Sequence, residues 1–283
     1  MLAVIAMSVG LIGYSGPSAP RFEHCGTVRR DAASAPGDSA CRALLQLVRA
    51  VQETDYKGDL DSLRQLHAAM VPFVDNAELA KHARYWRGFA LWRRALNALG
   101  QGGSPDSTDA DFARANEEFR HALRLDSAYA EAKIGLVAGL SNRVFFNQEN
   151  SALRMALIRE YRPLLEQLTQ SDRDNPRFVF VAAPQRFHAP PEVGGSRTEA
   201  IAMVEAALAR LAPSRADTIE AALEPTWGGP ELHMLLAALL LRSRTQLDKA
   251  QLHAERALAL RPDWLAVRRN LIPAIHALRA PGS

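Results

Sequence analysis

Apolar positions recur along this chain with the spacing of one helix after another. "SACRALLQLVRAVQ" sets Leu44, Leu45, Val48 and Val51 on a single stripe. "DLDSLRQLHAAMVPFV" repeats the device with Leu60, Leu63, Leu66 and Met70 and ends near Pro72. "NAELAKHARYWRGFALWRRALNALG" is a long amphipathic pattern closed by Gly100. After the loop "QGGSPDSTD", "DFARANEEFRHALRLD" and "SAYAEAKIGLVAGL" read as two helices joined by a tight break. "NSALRMALIREYRPLLEQL" predicts a helix kinked at Pro163. "RFVFV" has strand propensity, but Asn175 as N-cap and Pro176 at the first helical position favour a helix there. A Ser-x-x-Glu box, Ser196 to Glu199, opens "SRTEAIAMVEAALARLA". "EPTWGG" reads as a turn, and three further helices finish the chain. No stretch reads as a sheet, so the expected class is all-α.

The chain is also self-similar. Ala115, Ala200 and Ala250 are each followed seven residues later by another alanine, Ala122, Ala207 and Ala257. Phe119, Val204 and Ala254 stand between the members of each pair. "ALRLDSAYAEAKIGL" from Ala122 and "ALALRPDWLAVRRNL" from Ala257 align without gaps. Small residues two turns apart let a neighbouring helix come close, and Pro262 stops one helix so that the chain turns. Tyr129 and Trp264 fall at equivalent sites just after that corner, where they suit packing.

This spacing resembles the second helix of a tetratricopeptide repeat. "YWRGFALWRRA", through Tyr85, Gly88 and Leu91, and "HMLLAALLL", through Met234, Ala237, Ala238 and Leu241, are similar to its first helix. The resemblance covers about residues 83–141 and 196–277. It implies a degenerate, tetratricopeptide-like solenoid of antiparallel helix pairs. The stretch 175–201 is similar to exported bacterial proteins of that type whose function is unassigned. What the resemblance implies is a scaffold that holds a partner protein or peptide in a concave groove. It also permits an accessory role in solute uptake, of the kind played by a subunit of a tripartite, ATP-independent transporter, with a small ligand as cargo. The lipoprotein cysteine expected of such a subunit is missing.

Composition adds a little. The 283 residues carry 48% hydrophobic and 23% charged side chains, as in ordinary globular chains. A net charge of +3 argues against a nucleic-acid partner. Only Lys57, Lys81, Lys133 and Lys249 among the 34 basic residues are lysine. That bias fits genomic base composition more simply than an anion-binding adaptation. The apolar run Leu2–Ile12, followed by small residues and prolines, has the form of an export signal, although no Lys or Arg precedes Arg21. The run is too short for a stable membrane span unless the segment is retained as an anchor. The expected organisation is a signal peptide or anchor over 1–20, a linker over 21–38 and a helical repeat domain over 39–283. The expected location is periplasmic or at the cell envelope. Cys25 and Cys41 then form either a disulfide across a short loop or two separate thiols.

Catalytic motifs are not found. The eight histidines form no HExxH or i,i+4 pair, and there is no G-x-S-x-G, phosphate loop or dinucleotide fingerprint. No cofactor or metal is expected, and no enzymatic activity. Glu117-Glu118 suits exposed ion pairing with neighbouring arginines. Arg84, Arg87 and Arg94 fall near one helical face beside Tyr85 and Trp86. They form either a solvated face over aromatic packing or the lining of a groove that accepts carboxylates. Asn142 and Arg143 lie in "SNRVFFNQ" beside Phe145 and Phe146, which suit either the core or a ligand rim. Trp227 stands in a loop. The candidate groove residues are therefore Tyr85, Arg87, Arg94, Asn142, Arg143 and Trp227.

Overall fold

The computed structural model describes residues 36–211 and 219–279, and all its regular structure is helical. The order is α1 (Pro36–Lys57), α2 (Leu60–Ala69), α3 (Ala80–Gly100), α4 (Pro105–Leu125), α5 (Ala130–Phe146) and α6 (Ser151–Ser171). Then follow α7 (Pro176–His188), α8 (Arg197–Arg210), α9 (Ile219–Leu223), α10 (Gly229–Ser243), α11 (Leu247–Leu260) and α12 (Ile272–Arg279). A π turn, Val267–Leu271, leads into α12. Short connections make chain neighbours spatial neighbours: α2 packs on α3, α3 on α4, α4 on α5, α5 on α6, α7 on α8 and α10 on α11. The fold is thus an all-α array of consecutive helix pairs.

Local chemistry sets most boundaries. Asp59 caps α2 by accepting from the Ser62 backbone N–H at 3.0 Å. Asn175 caps α7 through the Arg177 N–H, with Pro176 next, so "RFVFV" is helical as expected. Ser196 accepts from the Glu199 N–H, but the Glu199 carboxylate turns to Arg186 instead of closing the box. One expectation shifts: α1 begins at Pro36, inside the segment read as linker; α6 is a single helix that contains Pro163.

The paired alanines form the docking face. Ala115, Ala122, Ala200, Ala250 and Ala257 are fully buried. The Phe119 ring sits between Gly88 of α3 and Gly135 of α5, where an added Cβ would lie 2.8 and 2.6 Å from it. Glycine at both positions is what lets three helices close on one phenyl ring. Tyr129 and Trp264 are both buried, each at the start of the helix after its corner.

The array curls until its ends meet. The Tyr56 ring, at the end of α1, lies 5.0 Å from Trp264, and its hydroxyl donates to Glu231 Oε1 of α10 at 2.5 Å. Burial and the adjacent Glu231 carboxylate raise the Tyr56 pKa, so that hydroxyl stays protonated. The Arg261 guanidinium stacks 4.9 Å over the same ring. Among the described residues no helix is long and apolar enough to cross a membrane.

Candidate functional site

The inner face of α3 is the expected groove, and the chain itself fills it. Segment 223–227, between α9 and α10, is strapped to it by side-chain hydrogen bonds. The Trp86 indole N–H donates to the Leu223 carbonyl at 2.7 Å. Glu224 meets His82 Nε2 at 2.7 Å and accepts from the Tyr129 hydroxyl at 3.1 Å. The Trp227 indole N–H donates to the Tyr85 hydroxyl at 3.0 Å, and its ring lies 5.5 Å from Phe89, 5.7 Å from Trp92 and 5.8 Å from Phe180. Arg177 donates to the Trp227 carbonyl. Burial alone would raise the Glu224 carboxyl pKa; the His82 contact, the Lys81 charge and the Tyr129 hydroxyl outweigh it and hold it below the usual range. Tyr85 and Trp227 are therefore interior residues, not the lining of an open groove. An exposed pair of rings would leave apolar area in water, and here each covers the other.

The arginine row does bind carboxylates, and they come from α4. Glu118 takes Arg87 Nε at 2.8 Å and Arg84 Nη1 at 3.0 Å, while Arg87 also donates to the His67 carbonyl at 2.7 Å. Arg94 pairs with Asp111 and donates to the Leu60 carbonyl. Burial opposes ionisation of Glu118, but its hydrogen bonds from Arg87 and Arg84 prevail and lower its pKa. Only Glu117 keeps the exposed pairing expected of the Glu-Glu step, with Arg120. Arg143 grips Asp109 through Nε at 3.0 Å and Nη2 at 3.2 Å. Asn142 is half-buried beside it. Phe146 packs 5.9 Å from Phe112, whereas Phe145 is exposed, so the two phenylalanines part company. Cys41 is buried in the core, and Cys25 lies outside the described residues, as does the Leu2–Ile12 run. Among the described residues no three His, Cys, Asp or Glu side chains are grouped to hold a metal ion.

A cleft remains open where the array's ends meet. Its volume is about 430 Å³, and it is lined by Leu96, Asn97, Gly100 and Gln101 from the end of α3 and by Leu265, Ala266, Arg269 and Asn270 around the π turn. The Gln101 side chain donates to the Gly58 carbonyl at 2.8 Å and Asn97 to Asp55 Oδ1 at 2.9 Å, fixing two amides on the wall. Asn270 reaches the Gly100 carbonyl only at 3.4 Å. Arg269 is the sole charged side chain in the lining. π turns are rare and cluster at functional sites. No motif marks this region in the sequence. In the gapless alignment Arg269-Asn270 stand where the first copy has Ile134-Gly135, one of several differences between the two segments.

Compared with known proteins, no family model matches the chain and no curated protein matches it. Among solved structures it is similar to a thermophilic TPR protein of Thermus thermophilus, at 18% identity and a TM-score of 0.48, over 82% of this chain and 98% of that one.

Proposed function

We propose that this chain is a non-catalytic binding scaffold for a protein or peptide partner, and that the partner engages the cleft between the end of α3 and the π turn. The observation that carries the reading is the contrast between the two candidate surfaces. The inner face of α3 is covered by the chain's own Trp227, whereas the cleft is concave, open and lined by both amides and apolar groups. The test is affinity capture with the full chain and with Gly100→Phe. A Cβ at position 100 meets the Asn270 amide at 3.4 Å, and both residues line the cleft. A partner retained by the native chain and lost by the variant supports the reading; equal capture by both overturns it.

A second reading, capture of a small ligand for solute uptake, is favoured by the cleft volume, which lies within the range of small-molecule sites. Export to the periplasm or cell envelope belongs to the same proposal and rests on the Leu2–Ile12 pattern. Fractionation of cells expressing the full chain tests it; recovery only from the cytoplasm overturns it.

A further inference from the structure

We propose that His233 of α10 and His253 of α11 form a binding site for copper(II), with the two Nδ1 atoms as its protein ligands. The pair shares no residue with the cleft, so the site stands apart from the scaffold reading. Its geometry carries the proposal. The two Nδ1 atoms face each other at 2.8 Å, with ring centroids 5.0 Å apart and ring planes at 31°. Imidazole nitrogen is a ligand for copper, nickel and zinc. At a metal–nitrogen distance of about 2.0 Å, two nitrogens bound at a right angle stand about 2.8 Å apart, and two at a tetrahedral angle about 3.3 Å. The observed separation fits the square-planar geometry of copper(II), whereas zinc would have to spread the rings. The backbone beneath is firm: α10 packs on α11, and Ala250, Ala254 and Ala257 on either side of His253 are fully buried. The rings therefore meet across two docked helices, 20 residues apart in sequence, where no local motif announces them.

A metal ligand must carry no proton on the ligating atom. Burial lowers the pKa of both histidines, and for His253 the neighbouring His233 adds to it, so both rings are neutral at pH 7. One ring now donates its Nδ1 proton to the other. On binding, that ring gives up the proton at Nδ1 and takes one from solvent at Nε2, so no proton is released in balance. Both rings then turn until their Nδ1 lone pairs meet on the ion. The charged groups that face the pair are Glu205 of α8 and Lys249 and Arg256 of α11. Lys249 is paired with Glu205, and Arg256 is exposed, where solvent screens its charge. His233 is only half-buried, which leaves a path for the ion and for the waters that complete its coordination. Among the described residues the protein supplies two ligands, not three, so the site is open and exchangeable, with an affinity in the micromolar range.

The test is titration of the full chain with copper(II) chloride against citrate, a competitor that has no nitrogen, followed by electron paramagnetic resonance. The expected result is one tight equivalent of copper whose spectrum shows two equatorial imidazole nitrogens. His233→Gln and His253→Gln should each weaken that equivalent about tenfold or more. His276→Gln, at an exposed histidine of α12, should leave it unchanged. Copper should also raise the melting temperature of the native chain, because it binds the folded pair, and should not raise that of His233→Gln. His253 is buried, so its variant tests packing as well; His233 lies at the rim, and its variant reads the metal site alone. The proposal is overturned if no equivalent outcompetes citrate, if the spectrum reports fewer than two nitrogens, if His233→Gln binds as the native chain does, or if His276→Gln removes the tight equivalent.

Discussion

The middle of α3 and its C-terminal end are two stretches of one helix with opposite fates. The middle carries Tyr85, Trp86, Phe89, Trp92 and a row of arginines, and every one of these rings is buried against the rest of the chain. The end carries Leu96, Asn97, Gly100 and Gln101, ordinary residues that border open space. Richness in aromatic and charged side chains marks the middle because that is where the chain packs on itself: α4 supplies Glu118 and Asp111, and segment 223–227 supplies Trp227. An arginine with an internal carboxylate and a tryptophan with an internal hydroxyl have little left to offer a partner. The end of the helix stays open between its own last turn and the π turn, which bound the cleft from two sides.

The largest expected effect tests whether the middle is sealed for stability. Trp227→Ala removes a buried ring among Phe89, Trp92 and Phe180 and leaves the Tyr85 hydroxyl without its donor. It should cost about 3–5 kcal/mol. Gly100→Phe, at the open end, should leave the urea midpoint nearly unchanged. Equal effects of the two substitutions would erase the distinction between the regions.

Glu118→Ala probes the other side of the same face. It strands Arg84 and Arg87, but Arg87 keeps the His67 carbonyl. The loss should therefore sit at the low end for a broken buried pair, about 3 kcal/mol by urea unfolding. A loss below about 1 kcal/mol would mean that the pair behaves as a surface pair.

Smaller again is Ala257→Phe, on the α11 face that repeats the Ala115–Ala122 device. The alanine is fully buried, so overpacking should cost about 1–3 kcal/mol. An unchanged melting temperature would show that the C-terminal pair is looser than the glycine-notched α3–α4–α5 contact.

How far the sequence foretold these regions follows from the range of each contact. The alanine spacing and the helix caps are local, within about two turns, and every paired alanine proved buried. The arginine face of α3 was visible as a row, but periodicity on one helix says nothing of what stands opposite; Glu118 lies 31 residues from Arg87. Trp227 is a loop residue, as read, but its burial was not legible because its partner Tyr85 is 142 residues away, on a helix it meets only once the array has curled. The cleft was the least legible feature, since neither of its walls has a pattern of its own. The polar step Arg269-Asn270, where the first copy has Ile134-Gly135, is one of several differences between the aligned segments and does not single the cleft out.

The smallest expected effect is a dependence on pH with two separable windows. His233 of α10 and His253 of α11 meet through their Nδ1 atoms at 2.8 Å, so one ring donates and the other accepts. Burial, the neighbouring His233 and the charges of Arg256 and Lys249 lower the His253 pKa to about 4. Glu205 opposes them weakly. The unfolded chain takes up this proton near the ordinary histidine value, the folded chain only near pH 4. Stability from this contact is therefore complete above about pH 6.5 and declines as the pH falls toward 4. Glu118 and Glu224 act lower down. Both are held below the ordinary carboxyl value, so their contribution is intact above about pH 4.5 and is lost on further acidification. Urea midpoints taken from pH 8 to pH 3 should thus fall in two steps. His253→Leu should shrink the upper step, to which His67, His121, His188 and His233, whose pKa values are also lowered, contribute, and leave the lower one. Glu224→Gln should shrink the lower step, where Glu118 still acts, and leave the upper one, because its carboxylate holds segment 223–227 on α3 and has no part in the His233–His253 contact. A lower step unchanged in Glu224→Gln would mean that the Trp86, Arg177 and Trp227 contacts keep the inner face closed without the carboxylate.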